Sequence, residues 1–537
     1  MNGRLRLEWL VLAGICGFLF FYGLGHFGLV GADEPRYAQV AREMLAAHDW
    51  VTPRLGGHAW LEKPPLYYWQ AMIAYGLFGV SDWAARLPAA VDATLMVLGV
   101  LLFLRKLRPG FYFDGALMVA SAAGVVGFAH AAATDMPLAA TFTLGMLAWY
   151  AWWETGRRWL LVLFYVFMAL GTLAKGPVAP FLAGVIVVLF AVAARDARIV
   201  LKTLWPPGLA AFVAVALPWF IAVQARNPEF FRVFILEHNL ERFGTNLYRH
   251  QQPFWYFVPV LLLGLIPWIA FVVTAGWEVV RVWWSERRSL FESGDALNFF
   301  LLLWLIVPVL FFSISQSKLP GYILPAMPAG PLLVAEYVRR KIADEERPGR
   351  WLLVVHALIA VSTIVPAILI RQLLLREKIV PGPVLIGSVI FALVLAGIVM
   401  MLLNGKSGLR MLRSATLLPV VLTVALLMKL GASAVDATQS ARPVAAILQR
   451  LEPRPLPVAL FGVRRETEYG LAFYRNQLIQ KYDGLQAPLE EHLLVTPQGA
   501  ELVLVKVLGD RRVEFLGRFA PQRLEFYRVG EKEVAGR

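Results

Sequence analysis

The feature that most constrains this chain is a series of long apolar stretches. A bilayer core about 30 Å thick needs about 20 apolar residues for each spanning helix. Hydrophobic residues make up 58% of the 537 residues and charged residues only 16%. In a soluble domain, about 45–50% of the residues are apolar and about 25% are charged. The sequence therefore predicts a multi-pass membrane protein and excludes an ordinary soluble one.

When this length requirement is applied along the sequence, thirteen spans are predicted. They lie near residues 9–29, 86–104, 113–131, 136–153, 159–174, 178–194, 207–224, 254–274, 297–314, 320–338, 351–371, 382–403 and 413–432. The first apolar stretch is longer than the 7–15 residues of a signal-peptide core, so we expect a retained helix.

Basic residues predict the orientation, because cytoplasmic loops are rich in Lys and Arg. Arg4 and Arg6 precede the first span, and every second loop after it is basic. These loops contain Arg105, Lys106 and Arg108; Arg157 and Arg158; Arg195, Arg198 and Lys202; Arg281, Arg287 and Arg288; Arg339, Arg340 and Lys341; and Lys406, Arg410 and Arg413. The net charge of +14 is thus expected to mark cytoplasmic loops, and not a nucleic-acid partner.

The predicted organisation is a transmembrane domain at 1–434, with an outer loop at 30–85, followed by a small soluble α/β domain at 435–537. An odd number of spans places the C-terminal domain outside. Strand-like runs lie at 457–462, 501–507, 511–519 and 523–529, and a helical pattern lies near 464–475. The single cysteine, Cys16, excludes a disulfide framework.

Charged residues collect in the outward loops, at the edges of the apolar stretches. Asp33, Lys63, Asp135 and Lys175 are the clearest cases. Any one of them is explained more simply as a helix cap or as a side chain that reaches the headgroups. Four unpaired charges at this depth would each cost several kcal/mol. We therefore expect them to share one polar cavity.

A cavity on the outer face has no access to cytosolic ATP or nucleotide sugars, so its donor should be an activated group linked to a lipid. Lys63 and Arg242 are suited to clamp a lipid phosphate and to neutralise the charge that develops as a sugar–phosphate bond breaks. Asp33 can position or deprotonate an acceptor. No Walker loop, GxSxG elbow or HExxH motif occurs. The residues alone predict lipid-phosphate chemistry.

Five motifs in this order resemble the ArnT-type glycosyltransferases, which are relatives of the protein O-mannosyltransferases. The motifs are Asp33–Tyr37, Glu62–Pro65, Thr134–Pro137, Ala174–Pro177 and Ser317–Tyr322. The resemblance implies a GT-C fold, and an inverting transfer of 4-amino-4-deoxy-L-arabinose from undecaprenyl phosphate to a lipid A phosphate. It also implies the periplasmic face of the bacterial inner membrane and resistance to polymyxin.

The resemblance further assigns residues. It places Asp33 at the catalytic centre with Asp135 in support, and Lys63 with Arg242 on the carrier phosphate. The residues that it places along the substrate cavity are Glu34, Arg36, Tyr37, Tyr67, Lys175, Lys318 and Tyr322. Glu62 and His238 occupy positions that can hold a structural divalent metal such as zinc in this family. No cofactor is expected for the chemistry itself.

Two other functions are consistent with the residues. In the first, the same donor serves a protein hydroxyl or another envelope glycan, because Pro35 and the Glu62–Pro65 motif resemble the broad family. In the second, the protein is a non-enzymatic transporter of polyprenyl lipids. Transporters are often built from inverted repeats, and the sequence contains no evident internal repeat.

Overall fold

A computed structural model of the chain describes residues 3–234, 252–285, 296–375, 382–405, 408–482, 487–500, 507–509 and 511–531. The first half is largely helical. Its α-helices are Gly3–Cys16, Asp33–Ala46, Leu66–Phe78, Asp82–Leu107, Tyr112–Ala120, Ala123–Ala129, Asp135–Thr155, Arg158–Lys175, Val178–Ala194, Arg198–Thr203 and Pro206–Arg226. The α-helices that follow are Phe257–Gly264, Ile269–Ser285, Ala296–Ile314, Ala329–Ala343, Arg350–Val361, Ile364–Leu375, Pro383–Asn404, Leu412–Leu426, Ala432–Gln439, Arg442–Leu451 and Arg465–Arg475.

Seven helices of the described residues are long and apolar enough to cross a bilayer, and nine if each of two bent pairs counts as one span. The multi-pass architecture is thereby supported, while the count of thirteen stays a prediction. The span predicted near 254–274 needs correction, since Phe254–Gly264 and Ile269–Ser285 meet at 116°. Pro267 lies between them, and a proline has no backbone N–H with which to continue a helix.

The bundle core is filled by large aromatic side chains and by small residues at close helix contacts. Trp149, Trp268 and Trp304 are completely buried. The Trp149 indole N–H donates a 3.0 Å hydrogen bond to the Thr203 hydroxyl, as a buried polar group requires. A Cβ at Gly145 would lie 2.3 Å from the Met168 side chain. Small residues of this kind let helices approach closely within a membrane.

Several of the basic residues predicted to be cytoplasmic lie at one end of the bundle, where they pair with acidic residues. Arg108 lies 2.8 Å from Glu154, and Arg413 lies 3.0 Å from Asp114. Asp82 begins the helix that leads to Arg108, so Asp82 and the residues around it lie at the opposite end. The separation of the two sets of loops is therefore present in the structure.

The loop predicted at 30–85 forms a compact layer, which we call the outer layer. It contains the helices Asp33–Ala46 and Leu66–Phe78, and a hairpin of β1 (Arg54–Leu55) and β2 (His58–Ala59). The hairpin turns at Gly56 and Gly57, both with positive φ, a backbone conformation that glycine adopts without strain. The Glu43 carboxylate accepts from both glycine N–H groups, at 2.9 and 3.0 Å.

The C-terminal region contains a five-stranded sheet in the order β4-β3-β5-β7-β6. The strands are β3 (Val458–Leu460), β4 (Gln480–Lys481), β5 (His492–Pro497), β6 (Val513–Phe519) and β7 (Leu524–Val529). β3 is parallel to β4 and β5, whereas β7 is antiparallel to β5 and β6. The strand predicted at 501–507 falls almost wholly outside the described residues, and the buried strand β5 was missed. The helix predicted near 464–475 is present as Arg465–Arg475.

The C-terminal sheet and its helices contact the outer layer. Arg442 lies 3.0 Å from Asp82, and the Tyr474 hydroxyl donates to the same carboxylate at 2.5 Å. The Gly28 N–H donates to Asp436 at 2.8 Å. The C-terminal region therefore lies at the same end of the bundle as the 30–85 loop.

Candidate active site

The first turn of the helix Asp33–Ala46 contributes two carboxylates, an arginine and a tyrosine. Asp33 and Glu34 stand at its N-terminus, where negative side chains are favoured by the helix dipole. Pro35 fits the first turn because a backbone N–H at that position has no helical partner. This short segment thus presents several functional groups on one rigid element.

Arg36 is the centre of a first cluster. Its Nη2 lies 2.5 Å from Asp33 Oδ1, and its Nη1 lies 3.9 Å from Glu62 Oε2. The guanidinium carbon lies 5.1 Å from the ring centroid of Tyr37 and 5.3 Å from that of Trp60. The side chain of Arg36 is 13% exposed, whereas that of Asp33 is 52% exposed. Asp33 is thus both paired and open to a ligand.

Several polar atoms of this cluster are buried and have no hydrogen-bond partner in the part of the chain that the structure describes. They are Arg36 Nε, Trp60 Nε1 and the Tyr68 hydroxyl. Burial of an unsatisfied donor costs about 1–3 kcal/mol, and such groups in native proteins call for an explanation. Three of them around one guanidinium are consistent with a site that a polar ligand completes.

Burial and nearby charges keep the aromatic hydroxyls of this cluster neutral. Burial, followed by the charge of Asp33, raises the pKa of Tyr37 well above its usual value. Burial also raises the pKa of Tyr68, although the charge of Arg36 opposes this shift. Neither phenol is therefore ionised at neutral pH, and Asp33 and Glu62 are the carboxyl groups that face Arg36.

A second cluster joins Asp135, Lys175 and Tyr322. Asp135 begins the helix Asp135–Thr155, and Lys175 ends the helix Arg158–Lys175, each at the terminus that its charge favours. Lys175 Nζ lies 2.5 Å from Asp135 Oδ1 and 4.9 Å from the Tyr322 ring centroid. A Cβ at Gly321 would lie 2.2 Å from Asp135 Oδ1. Only glycine permits this approach.

Tyr37 connects the two clusters. It packs in one apolar cluster with Ala132 and Ala133, which directly precede the turn at Asp135. The charge of Asp135 contributes to the raised pKa of Tyr37, which places the two side chains near each other. Asp33, Arg36, Asp135 and Lys175, although distant in sequence, thus lie around one region of the outer layer.

Three of the residues that the resemblance places along the cavity are buried and bonded within the protein. Glu34 is 6% exposed and forms a 2.7 Å ion pair with the fully buried Arg86. Tyr67 is completely buried, and its hydroxyl donates to the Ala85 carbonyl at 2.9 Å. Lys318 is 6% exposed, and its ammonium donates to the Ser315 carbonyl at 2.5 Å. These internal bonds give the three side chains a role in packing, and their contact with substrate stays a prediction.

Both side chains of the Glu34–Arg86 pair also form hydrogen bonds with backbone groups. Arg86 also donates to the carbonyls of Leu24, Phe27 and Gly28 at 2.7–2.9 Å. Glu34 accepts from the backbone N–H groups of Val30 and Ala132 at 2.7 and 2.8 Å. This network holds the end of the first span, the outer helix and the 131–134 turn together.

The remaining predicted residues are placed only in part. Lys63 is half-buried in the turn that follows Glu62 and precedes the helix Leu66–Phe78. Arg242 and His238 lie outside the described residues, so their roles stay predictions. Glu62 already faces a cation, Arg36, and the described residues contain no cluster of three or more metal-ligating side chains. Because His238 lies outside the described residues, the metal at Glu62 and His238 stays a prediction.

Sequence reasoning missed Arg86, Trp60, Tyr68 and Tyr469. Arg86 did carry a signal, because it stands at the very edge of a predicted span, where an unpaired cation is costly. Trp60 and Tyr68 carry only a weak signal, because Trp and Tyr are common at the interfaces of membrane proteins. Tyr469, whose ring centroid lies 5.6 Å from the Arg36 guanidinium, carries no sequence signal because it belongs to the distant C-terminal region.

Comparisons with known proteins agree with the predicted resemblance. Residues 62–221 match the family described as "Dolichyl-phosphate-mannose-protein mannosyltransferase". The chain is 30% identical over 346 residues to the undecaprenyl phosphate-alpha-4-amino-4-deoxy-L-arabinose arabinosyl transferase of Edwardsiella ictaluri, covering 63% of this chain and 60% of that protein. It is 32% identical over 367 residues to the enzyme of the same name from Aeromonas hydrophila, covering 64% and 65%. The match thus spans less than two thirds of these relatives.

The structure is similar to that of ArnT from Cupriavidus metallidurans bound to undecaprenyl phosphate. The TM-score is 0.78 at 22% sequence identity, covering 100% of this chain and 99% of the other. This likeness establishes the helical GT-C fold predicted from the motifs. A fold alone does not fix a function, which must be argued from the site.

Proposed function

We propose that the protein is an inverting glycosyltransferase that moves 4-amino-4-deoxy-L-arabinose from undecaprenyl phosphate to a lipid A phosphate. The observation that carries this proposal is the gathering of Asp33, Arg36, Asp135 and Lys175 at one end of a membrane bundle. The similarity to enzymes named for the same donor adds support.

The proposed reaction requires residues that bind two phosphates, that of the carrier and that of the acceptor. It requires little proton transfer. An acceptor phosphate oxygen attacks the anomeric carbon from the face opposite to the carrier. The bond from that carbon to the carrier oxygen breaks, and its electron pair goes to undecaprenyl phosphate. Lys63 and Arg242 would neutralise the departing phosphate. An ionised acceptor phosphate needs no base, so Asp33 would orient it or the sugar through Arg36.

The proposed topology follows the basic loops. The N-terminus is cytoplasmic, thirteen spans cross the inner membrane, and the outer layer and the 435–537 domain face the periplasm. Charge supports this arrangement, because the loops at the end opposite to the site carry the basic residues. Transfer at the periplasmic face fits a donor that arrives by lipid diffusion and not from the cytosol.

Mass spectrometry of lipid A from cells with and without the gene tests the proposal. The expected result is one aminopentose added to a phosphate only when the gene is present. Asp33→Asn should abolish the addition, whereas Arg465→Gln, at an exposed position of the C-terminal helix, should retain it. Lipid A that is unchanged by the wild-type gene would contradict the proposed acceptor.

A second candidate keeps the donor class and transfers the sugar to a protein hydroxyl. The match of residues 62–221 to the mannosyltransferase family supports it. A hydroxyl must lose a proton during attack, so Asp33 would then act as a true base. A glycopeptide in the same cells, together with unchanged lipid A, would favour this candidate.

A further inference from the structure

The C-terminal helix Arg465–Arg475 docks on the outer layer through two fixed points. Phe473 is 3% exposed and belongs to the apolar cluster of Tyr37 and Tyr67. Its carbonyl accepts a 2.9 Å hydrogen bond from the Arg42 guanidinium. The Tyr474 hydroxyl donates to Asp82 and accepts from the Leu29 N–H at 2.6 Å. These bonds fix both the position and the rotation of the helix.

One turn before Phe473, the same helix places Tyr469 beside Arg36. The Tyr469 ring centroid lies 5.6 Å from the guanidinium carbon. The rings of Tyr37 and Trp60 lie at 5.1 and 5.3 Å, so three aromatic rings surround one cation. All three distances are within the range of about 6 Å in which a cation is attracted by a ring face. Two of these rings belong to the outer layer, and one comes from the C-terminal region.

We propose that Tyr469 is a positioning residue of the transfer site, which makes the C-terminal region part of the catalytic machinery. With Trp60 it holds the Arg36 guanidinium towards Asp33 and Glu62. Arg36 Nε is buried and has no hydrogen-bond partner among the described residues, and we propose that it donates to a sugar or phosphate oxygen when substrate is bound. This inference rests on the proposed glycosyltransferase function.

The role of the ring is tested by two substitutions with a matched control. Tyr469→Ala is expected to lower kcat/KM for transfer about tenfold, because the cation loses one of its three rings. Tyr469→Phe retains the ring and should keep transfer within about twofold of wild type. Arg465→Ala, at an exposed position of the same helix, should have no effect. Equal transfer by wild type and Tyr469→Ala, at matched thermal stability, would overturn the inference.

A second readout does not depend on transfer. The full chain in nanodiscs is prepared with 4-fluorophenylalanine at position 469, and its fluorine resonance is recorded. Arg36→Gln should shift this resonance, as should addition of undecaprenyl phosphate, whereas Arg464→Gln, at an exposed position, should not. A fluorine resonance that shifts neither with Arg36→Gln nor on addition of the lipid would also overturn the inference. If only the proposed function is wrong, the wild type shows no transfer, but the fluorine resonance still responds to Arg36→Gln and to undecaprenyl phosphate.

Discussion

Two neighbouring carboxylates of the outer helix form ion pairs of opposite character. Glu34 pairs with a fully buried arginine, Arg86, and backbone N–H groups satisfy its oxygens. Asp33 pairs with Arg36 while its side chain stays 52% exposed, and no described residue accepts a hydrogen bond from Arg36 Nε. A closed network fixes one conformation, whereas an open one leaves bonds for a ligand. The comparison is consistent with a structural role for Glu34–Arg86 and with the proposed role of Asp33–Arg36 in transfer.

The largest expected effect comes from breaking the closed pair. Arg86→Gln leaves the Glu34 carboxylate unpaired in a buried site, which costs about 3–5 kcal/mol of folding free energy. Little folded protein should be recovered by size-exclusion chromatography in detergent. The double variant Glu34→Gln/Arg86→Gln should recover part of the loss because no buried charge is left. A wild-type melting temperature for Arg86→Gln would refute the structural assignment.

The next effect concerns the Asp135–Lys175 pair, whose side chains are 16% and 14% exposed. Lys175→Met should reduce the transfer rate about tenfold or more, because a fixed positive charge near the reacting groups is lost. The rate is measured with purified enzyme and synthetic donor. The double variant Asp135→Asn/Lys175→Met separates the two roles. Full transfer by the double variant would show that the pair serves only folding.

A smaller effect is expected from loosening the C-terminal region. Arg442 joins Asp82, Asp436 and the carbonyls of Gly25 and His26, and its side chain is 32% exposed. Arg442→Gln should therefore cost about 1 kcal/mol, and it should speed amide hydrogen exchange in the helix Arg465–Arg475. An unchanged rate of amide hydrogen exchange in this helix would mean that other contacts hold the C-terminal region on the outer layer.

The smallest effect is a pH dependence of the C-terminal region. Hydrogen bonding from Arg454, with help from Arg528, lowers the pKa of Glu452 to about 2. A depressed carboxyl pKa stabilises the folded state above the unfolded value of about 4.5. This contribution is lost as the pH falls from there towards 2. Glu452→Gln should flatten the fall in melting temperature between pH 5 and pH 3, and a slope equal to wild type would contradict this assignment.

The sequence predicts the open site better than the closed network, for a physical reason. Asp33, Asp135 and Lys175 stand out because a charge at an apolar boundary is costly and needs an explanation. The resemblance placed Glu34 along the substrate cavity, and the sequence does not reveal its pairing with Arg86, which lies 52 residues away. The bend of 116° within the span near 254–274 was missed because hydropathy records length and not direction.

Tyr469 illustrates a second limit on what can be predicted from the sequence. Membrane spans follow from local hydropathy, but contact between the C-terminal region and Arg36 depends on how two distant segments dock. The sheet strands β3, β6 and β7 were predicted from local alternation and short apolar runs, whereas β5 was not. Its buried neighbours, and not its own residues, decide that it is a central strand.

The most direct test compares Asp33→Asn with Glu34→Gln, adjacent and chemically matched substitutions. Transfer from undecaprenyl phosphate-linked sugar and thermal unfolding are measured on the same purified samples. The account predicts that Asp33→Asn unfolds like wild type and transfers about a hundredfold more slowly, because Arg36 is no longer held in the orientation that positions the substrate, whereas Glu34→Gln mainly loses stability. Normal transfer by a stable Asp33→Asn variant would contradict the central claim.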